Sequence, residues 1–122
     1  MNFSILNAKI EDASITMADH GCLTWYLSLK GSGWGVNIGG YVIGHGYLGA
    51  KEFKGSEKGT ESLMRIMDTV GVEKWEDLPG KYVRVYSEGW GSIITKFGNI
   101  IEDKWFDCRE FFSDKELEDE QK

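Results

Sequence analysis

Alternation of apolar and polar residues predicts β-strands in several parts of the chain. The clearest is CLTWYLSL, residues 22–29, in which every second residue is leucine or tryptophan. The segment KYVRVYS, residues 81–87, alternates strictly, with Val83 and Val85 on one face and tyrosine or arginine on the other. Residues 3–10 also have strand character. Because successive side chains of a strand point to opposite faces, these patterns are typical of half-buried strands.

A helical spacing of apolar residues follows in the middle of the chain. We expect a helix from Thr60 to Gly71, with Thr60 as the N-cap and Gly71 as the C-terminal stop. The preceding segment KEFKGSEKG, residues 51–59, is polar and interrupted by glycine, which predicts a loop. The apolar residues of the helix share one face: Leu63, Ile66, Met67 and Val70.

The remaining segments complete the prediction of an α+β fold. Residues 36–43, VNIGGYVI, indicate a strand interrupted by paired glycines, as at a bulge. A short turn is expected in EKWEDLPG, a further turn in EGWG, one or two strands over residues 92–103, and an acidic helix over residues 106–120. We therefore predict one domain over residues 1–122, a mainly antiparallel sheet with one central helix and a C-terminal acidic helix.

Charge narrows the range of partners. The net charge is −6 and the isoelectric point about 4.9, and the acidic tail, residues 110–122, holds most of that excess. A protein that binds long nucleic acids normally presents a basic face, so none is expected here, whereas a small anion needs only a few donors. No apolar run is long enough to span a membrane, and no signal peptide is recognised. Cys22 and Cys108 lie far apart and are interpreted as reduced thiols of a cytosolic protein.

Glycines are concentrated in one stretch. Residues 31–50 hold eight of the sixteen glycines, and GHGYLG, residues 44–49, fits the pattern G-x-G-x-x-G. In a dinucleotide-binding fold that pattern joins a strand directly to a helix. Here two further glycines interrupt the following residues, which argues against such a site. Two interpretations remain, hairpin turns or space cleared for a ligand or a neighbouring subunit.

Catalytic signatures are absent from the sequence. His20 and His45 are far apart, and we interpret them as residues of a turn and a loop without metal partners. No nucleophile elbow or cysteine–histidine signature is found. We therefore expect neither an enzyme nor a cofactor.

Residues 80–109 interleave aromatic side chains with hydrogen-bond donors. Aromatic rings stack on nucleobases, and arginine donates bidentately to phosphates, so this mixture suits a nucleotide. The alternative is that these rings form the core or a subunit contact, and that Arg109 pairs with neighbouring acids. The aromatic residues are Tyr82, Tyr86, Trp90, Phe97, Trp105 and Phe106, and the donors are Arg84, Lys96, Asn99, Lys104 and Arg109.

Five stretches in the same order resemble a phage protein family. The chain is similar to the first-described Thoeris anti-defence (Tad) sponges over nearly all residues up to about 109. The stretches that carry the resemblance are NAKI, DHGCLT, GWGVNIGGYVIG, IMDTVGVEKWEDLPGKYVRV and GNIIEDKWFD.

The resemblance implies binding without catalysis. Members sequester a glycocyclic ADP-ribose made by a bacterial TIR-domain defence protein, so that the NAD-consuming effector stays inactive in the host bacterial cytoplasm. They are mainly-β homo-oligomers, up to hexamers, and some also bind cyclic dinucleotides or trinucleotides in separate pockets. In many relatives a histidine stands where this chain has Asn99, which alters that contact.

The resulting hypothesis assigns roles to nine residues. Arg109 and Asn99 contact the diphosphate or ribose, and Tyr82 or Phe106 stacks on the adenine. The pocket wall and further anion contacts are assigned to Trp34, Gly35, Asn37, Lys104 and Arg65.

Three other functions remain open. The protein could cleave the nucleotide, could be a phage accessory protein that binds a host protein through its acidic tail, or could be a structural oligomer without a ligand.

Overall fold

The fold is an antiparallel sheet with one long helix packed on it, which confirms the predicted α+β class. The computed structural model describes residues 3–46, 49, 51–89 and 91–113. In these residues the strand order is β4-β3-β2-β1-β5-β6-β7. The strands are β1 (Ser4–Asp19), β2 (Cys22–Gly31), β3 (Trp34–His45), β4 (Lys54–Gly55), β5 (Tyr82–Ser87), β6 (Lys96–Asn99) and β7 (Trp105–Asp107). The helices are α1 (Glu57–Val70) and α2 (Cys108–Phe111), with a 3₁₀ turn at Trp75–Asp77.

The core lies between the sheet and α1, as the alternating patterns predict. Val83 and Val85 of β5 are fully buried, as are Trp25 and Leu27 of β2. Trp25 also donates from its indole Nε1 to the Ser62 Oγ of α1, at 3.1 Å. This buried hydrogen bond satisfies both polar groups and fixes the helix over the sheet.

The long strand β1 joins the two halves of the sheet. Its first residues, 4–9, pair with β5, whereas residues 9–19 pair with β2. The register with β2 shifts between Ile10 and Asp12. Such a shift marks a bulge, where a strand bends and twists more strongly. β1 is therefore the central strand of the sheet and extends well beyond the predicted residues 3–10.

The start of α1 differs from the prediction. Ser56, not Thr60, is the N-cap, and its Oγ accepts a hydrogen bond from the Gly59 N–H at 3.0 Å. Gly59 lies inside the helix because a Cβ at this position would come within 2.6 Å of the Ile43 Cα. The expected loop over residues 51–59 was therefore wrong, since it contains β4 and the first turn of α1. The predicted stop is confirmed, with Gly71 at φ 94°.

The glycine-rich strand β3 confirms the predicted interruption at paired glycines. Gly39 and Gly40 have φ of 143° and 82°, and the β2–β3 register shifts beside them, between Trp25 and Tyr26. β3 then pairs with β4 in antiparallel fashion before α1 begins. β3 ends at His45, within GHGYLG, and β4 lies between this segment and α1, so the described residues of GHGYLG do not join a strand to a helix as in a dinucleotide-binding turn.

The elements between residues 92 and 113 differ from the prediction. Residues 92–103 contain one complete strand, β6, and Trp105–Asp107 form the edge strand β7 instead of the start of a helix. α2 spans four residues, and the predicted acidic helix beyond residue 113 lies outside the described residues. No helix among the described residues has the length and apolar character needed to cross a membrane.

Candidate functional site

The side chains of β5 are divided between the core and the outer face of the sheet. Val83 and Val85 point into the core, so the residues that alternate with them, Tyr82, Arg84 and Tyr86, lie on the opposite face. This face is turned away from α1, and Tyr82 is 56% exposed. The strict alternation that predicted the strand therefore also presents its polar and aromatic residues outward.

Aromatic rings and cations from β5, β6 and β7, together with Phe3 just before β1, meet on this outer face. We call it the aromatic–basic face. The ring of Phe3 stacks on Tyr86, with centroids 4.9 Å apart and an interplanar angle of 22°. Two carboxylates border the face, since Asp103 accepts from the Trp105 indole Nε1 at 2.8 Å and Asp107 lies opposite Lys96. The face itself carries two cations, Arg84 and Lys96. It is defined by Phe3, Tyr82, Arg84, Tyr86, Lys96 and Trp105.

Arg84 is held rigidly at the centre of the aromatic–basic face. Its Nε donates to the Asn99 carbonyl oxygen at 2.7 Å, and one terminal nitrogen donates to the Glu102 carbonyl oxygen at 2.8 Å. The guanidinium carbon lies 4.7 Å from the centroid of the Trp105 ring. A cation over an indole face is favourable, and the two hydrogen bonds fix its plane.

Lys96 lies between two rings of the same face. Its Nζ is 5.5 Å from the Tyr86 centroid and 5.6 Å from the Trp105 centroid. Its cross-strand neighbour is Asp107. The Asp107 carboxylate accepts from the Glu110 N–H at 3.2 Å and thereby caps α2. Lys96 is thus a half-buried residue whose side chain lies among aromatic rings.

A groove at the edge strand β7 adjoins the aromatic–basic face. It has a volume of about 340 Å³ and shares Lys96 and Trp105 with the face. Arg65 of α1 reaches this groove with its guanidinium 5.5 Å from the Phe111 centroid, while pairing with Glu61 on its own helix. The groove is lined by Arg65, Lys96, Trp105, Phe106, Asp107, Glu110 and Phe111, so its two cations face two carboxylates.

These charges indicate where an anion would bind. The two carboxylates balance the two cations within the edge groove, whereas Arg84 on the aromatic–basic face donates to the uncharged carbonyl oxygens of Asn99 and Glu102. An anion is therefore favoured on the face next to Arg84, and an aromatic group on the exposed rings.

Asn99 has a structural position. Its side-chain nitrogen donates to the carbonyl oxygens of Thr69 and Val70 at 3.0 and 3.3 Å. Its side-chain oxygen accepts from the N–H groups of Ile101 and Glu102 at 2.9 and 2.8 Å. The amide expected to contact a diphosphate or ribose thus links the end of α1 to the turn after β6.

The predicted stacking residues differ in accessibility. Tyr82 lies on the aromatic–basic face and is more than half exposed. Phe106 is only 5% exposed, and its ring packs edge-on against Phe97 with centroids 6.0 Å apart. Phe106 belongs to the core because it alternates in β7 with Trp105, which takes the outward position expected of a stacking ring.

The other predicted site residues are spread over the surface of a single chain. Trp34, Gly35 and Asn37 lie together in a separate cavity of about 440 Å³ on the β2–β3 hairpin. The Lys104 Nζ is 3.6 Å from carboxylate oxygens of both Asp68 and Glu102. Two of the remaining residues, Arg65 and Phe106, share the edge groove. One subunit therefore does not bring all nine residues into one pocket.

Arg109 is exposed on α2, near Tyr41. Burial raises the pKa of Tyr41, the Cys108 thiol adds to this rise, and the positive charge of Arg109 opposes it. Burial also raises the pKa of Cys108 to about 12, with a further contribution from the Asp107 carboxylate. Cys108 is thus a protonated core thiol at neutral pH.

Sequence reasoning missed one cross-strand pair. The Cys22 Sγ lies 3.7 Å from the His45 Nδ1, because the β2–β3 ladder places these residues opposite each other. Near the hairpin turn Gly31 pairs with Trp34, and continuing that register would place Ile43 opposite Cys22. Two register shifts move His45 into this position. The paired glycines were a signal for only the first shift.

Comparisons with known proteins found no match. No protein-family model, no curated protein and no solved structure is similar to the chain. Among the described residues no group of three or more histidine, cysteine, aspartate or glutamate side chains could hold a metal ion.

Proposed function

We propose that this protein binds a small signalling nucleotide and holds it without cleaving it. The observation that carries the proposal is the aromatic–basic face, where Arg84 is fixed against Trp105 and Lys96 lies between Trp105 and Tyr86. Rings supply stacking surface for a base, and the two cations supply charged donors for phosphates. Sequestration requires no nucleophile or general base.

The ligand class follows from the resemblance to the Tad sponges. We propose a glycocyclic ADP-ribose as the ligand, bound in the cytoplasm of the bacterial host, with cyclic dinucleotides or trinucleotides as further candidates. Binding one signal molecule per site would keep the TIR-triggered effector of Thoeris immunity inactive. A cyclic ADP-ribose isomer offers one adenine and a diphosphate, which match the rings and cations of the face.

The required affinity favours a site completed by a second subunit. A sponge acts stoichiometrically, and nanomolar binding corresponds to about −12 kcal/mol. Stacking contributes about 1–3 kcal/mol per base, and each charged hydrogen bond about 1.5–3 kcal/mol. One open face does not reach the required total, because association itself is costly. We therefore propose a homo-oligomer, a hexamer by the resemblance, whose neighbouring copy covers the ligand.

Exposed apolar side chains support this assembly. Phe3 and Tyr82 on the aromatic–basic face are each 56% exposed, and Ile5 beside them is 47% exposed. A neighbouring copy would remove this apolar surface from water. Native mass spectrometry with and without nucleotide measures the subunit number, and a monomer under both conditions would contradict the proposed enclosure.

A release experiment tests the proposed function. The protein is mixed with nucleotides from cells with an active TIR-domain defence, freed of unbound material, denatured by heat and analysed by chromatography. Intact cyclic ADP-ribose isomer in the released fraction is the expected result. A cleaved product would identify an enzyme instead. Recovery of no nucleotide would favour a host-protein partner or a structural oligomer.

Two tryptophan variants test the location of the site. Trp105→Leu removes the ring that contacts both cations of the aromatic–basic face, and we expect affinity to fall about 5- to 150-fold, the equivalent of 1–3 kcal/mol of stacking. Trp34→Leu is the matched control, since Trp34 lines the separate hairpin cavity. Isothermal titration calorimetry with the purified nucleotide measures both. A loss only in Trp34→Leu would move the site to the hairpin.

A further inference from the structure

Three side chains on neighbouring strands form a row at one end of the sheet. Cys22 of β2 pairs with His45 of β3 and, on its other side, with Asp19 of β1, and His45 pairs with Lys54 of β4. Directly opposed residues of antiparallel strands project to the same face. The thiol, imidazole and ammonium groups therefore lie side by side, in this order, over three strands.

The backbone fixes the first two members of the row. The Cys22 Sγ and His45 Nδ1 are 3.7 Å apart, within reach of a hydrogen bond to sulfur. Next to the pair, the Gly46 N–H donates to the Gly21 carbonyl oxygen at 2.9 Å, which closes the ladder. β1 and β2 meet in a tight turn where His20 and Gly21 both have positive φ, 52° and 81°. The β2–β3 ladder thus places the His45 imidazole beside the Cys22 thiol.

A basic cleft lies beside this row. Its volume is about 590 Å³, and it is lined by His45, Gly46, Lys51, Glu52, Phe53 and Lys54. Two lysines face one glutamate, so the cleft has an excess of positive charge. The lysine, glutamate and phenylalanine side chains are exposed, and Cys22, which is partly exposed, adjoins the cleft through its contact with His45.

We propose that Cys22 is a thiol-modification site that reacts with anionic disulfides of low molecular mass, of the class of oxidised glutathione. His45 accepts the Cys22 proton, and the resulting thiolate attacks one sulfur of the disulfide. A new bond forms between the Cys22 sulfur and that sulfur, the original disulfide bond breaks, and the second half leaves as a thiolate. The leaving thiolate takes the proton from His45, so atoms and electrons balance.

The lysines distinguish this site from a metal site. A thiolate and an imidazole about 3.7 Å apart could also share a zinc ion. Lys51 and Lys54 would repel such a cation, whereas they attract the carboxylates of a glutathione-type disulfide. The cleft therefore favours the anionic reagent.

The experiment compares disulfides of different charge. The probes are oxidised glutathione, which is anionic, 2-hydroxyethyl disulfide, which is neutral, and cystamine, which is cationic. Mass spectrometry follows adduct formation on the folded protein at low ionic strength. We expect glutathione to react about tenfold faster than cystamine after correction for the intrinsic rates on a free thiol, and added salt to remove the difference.

Four variants identify which side chains form the adduct and which select the anionic disulfide. Cys22→Ala should form no adduct, and Cys108→Ala should react like wild type, because Cys108 is buried and its pKa is raised to about 12. The double variant Lys51→Gln/Lys54→Gln should lose the preference for the anionic disulfide but still react. His45→Gln should slow all three probes and change the pH profile of the rate.

Three results would overturn the assignment. Equal corrected rates for the anionic and cationic disulfides would show that the lysines do not select the reagent. A Cys22 thiol that reacts with none of the probes would remove the site altogether. Stoichiometric zinc binding that protects Cys22 and is lost in His45→Gln would identify a metal site. Circular dichroism of each variant checks that the fold is intact.

Discussion

Asn99 joins α1 to the turn after β6 through four hydrogen bonds. Its nitrogen donates to the carbonyl oxygens of Thr69 and Val70, and its oxygen accepts from the N–H groups of Ile101 and Glu102. The two carbonyls belong to the last turn of α1, where backbone acceptors have no partner within the helix. Truncation at Asn99 would leave donors and acceptors on both segments without this partner.

We predict that Asn99→Ala lowers the free energy of unfolding by about 2 kcal/mol. Each hydrogen bond contributes about 0.5–1.5 kcal/mol, and the site is half buried, so water replaces part of the loss. For a domain of this size that change lowers the melting temperature by roughly 8 °C. Asn99→His retains one donor and one acceptor, and we expect about half of the effect.

Urea titration of the purified variants measures this prediction, with nucleotide affinity determined on the same samples. Asn37→Ala is the control, because Asn37 is exposed on β3 and its loss should change stability by less than about 0.5 kcal/mol. Unchanged stability of Asn99→Ala together with a large loss of affinity would refute the structural role. It would return Asn99 to the ligand contacts predicted from the sequence.

Three further predictions concern packing, capping and titration. Gly59→Ala should destabilise the protein by about 1–3 kcal/mol, because the new Cβ would lie 2.6 Å from the Ile43 Cα. Gly55→Ala is the control, since the space around Gly55 is open and its substitution should not destabilise the protein. Thermal unfolding compares the two variants. Ser56→Ala should cost about 1 kcal/mol by loss of the N-cap, measured by urea titration, and an unchanged midpoint would contradict the assigned helix start. Burial raises the pKa of Cys108 from an ordinary 9.0 to about 12 in the folded state. The protonated thiol therefore contributes its full stabilisation below pH 9, and this contribution is lost as the pH rises toward 12. Wild type should therefore lose more stability than Cys108→Ala between pH 8 and 10.5, and equal losses would refute the shift.

Local patterns predicted most of the elements but not all of their limits. The alternation around Val83 and Val85 identified β5 and assigned both of its faces correctly. The helix was recognised, but its start was placed at Thr60, because glycine is unfavourable inside a helix. Close packing of Gly59 on β3 outweighs that preference, and such a contact between distant segments cannot be read from the local sequence.

The candidate site was predictable as a region and not as a set of contacts. The mixture of rings and donors in residues 80–109 pointed to the strands that form the aromatic–basic face. The alternation of side chains along β7 determines that Trp105 faces outward and Phe106 faces the core. The pairing of Cys22 with His45 depends on two shifts in the β2–β3 register, and a sequence does not reveal how many residues each shift inserts.

The position of β1 has a consequence for synthesis of the protein on the ribosome. β1, β2 and β3 are contiguous in sequence and can pair as soon as they emerge, but the partner of residues 4–9 is β5, residues 82–87. The backbone groups of residues 4–9 that pair with β5 therefore stay unpaired until most of the chain has been translated. An exposed strand edge can form hydrogen bonds with strands of other nascent chains. The first strand to be made is thus among the last to be fully paired, and crowding of ribosomes on one message would favour contacts between chains at this edge.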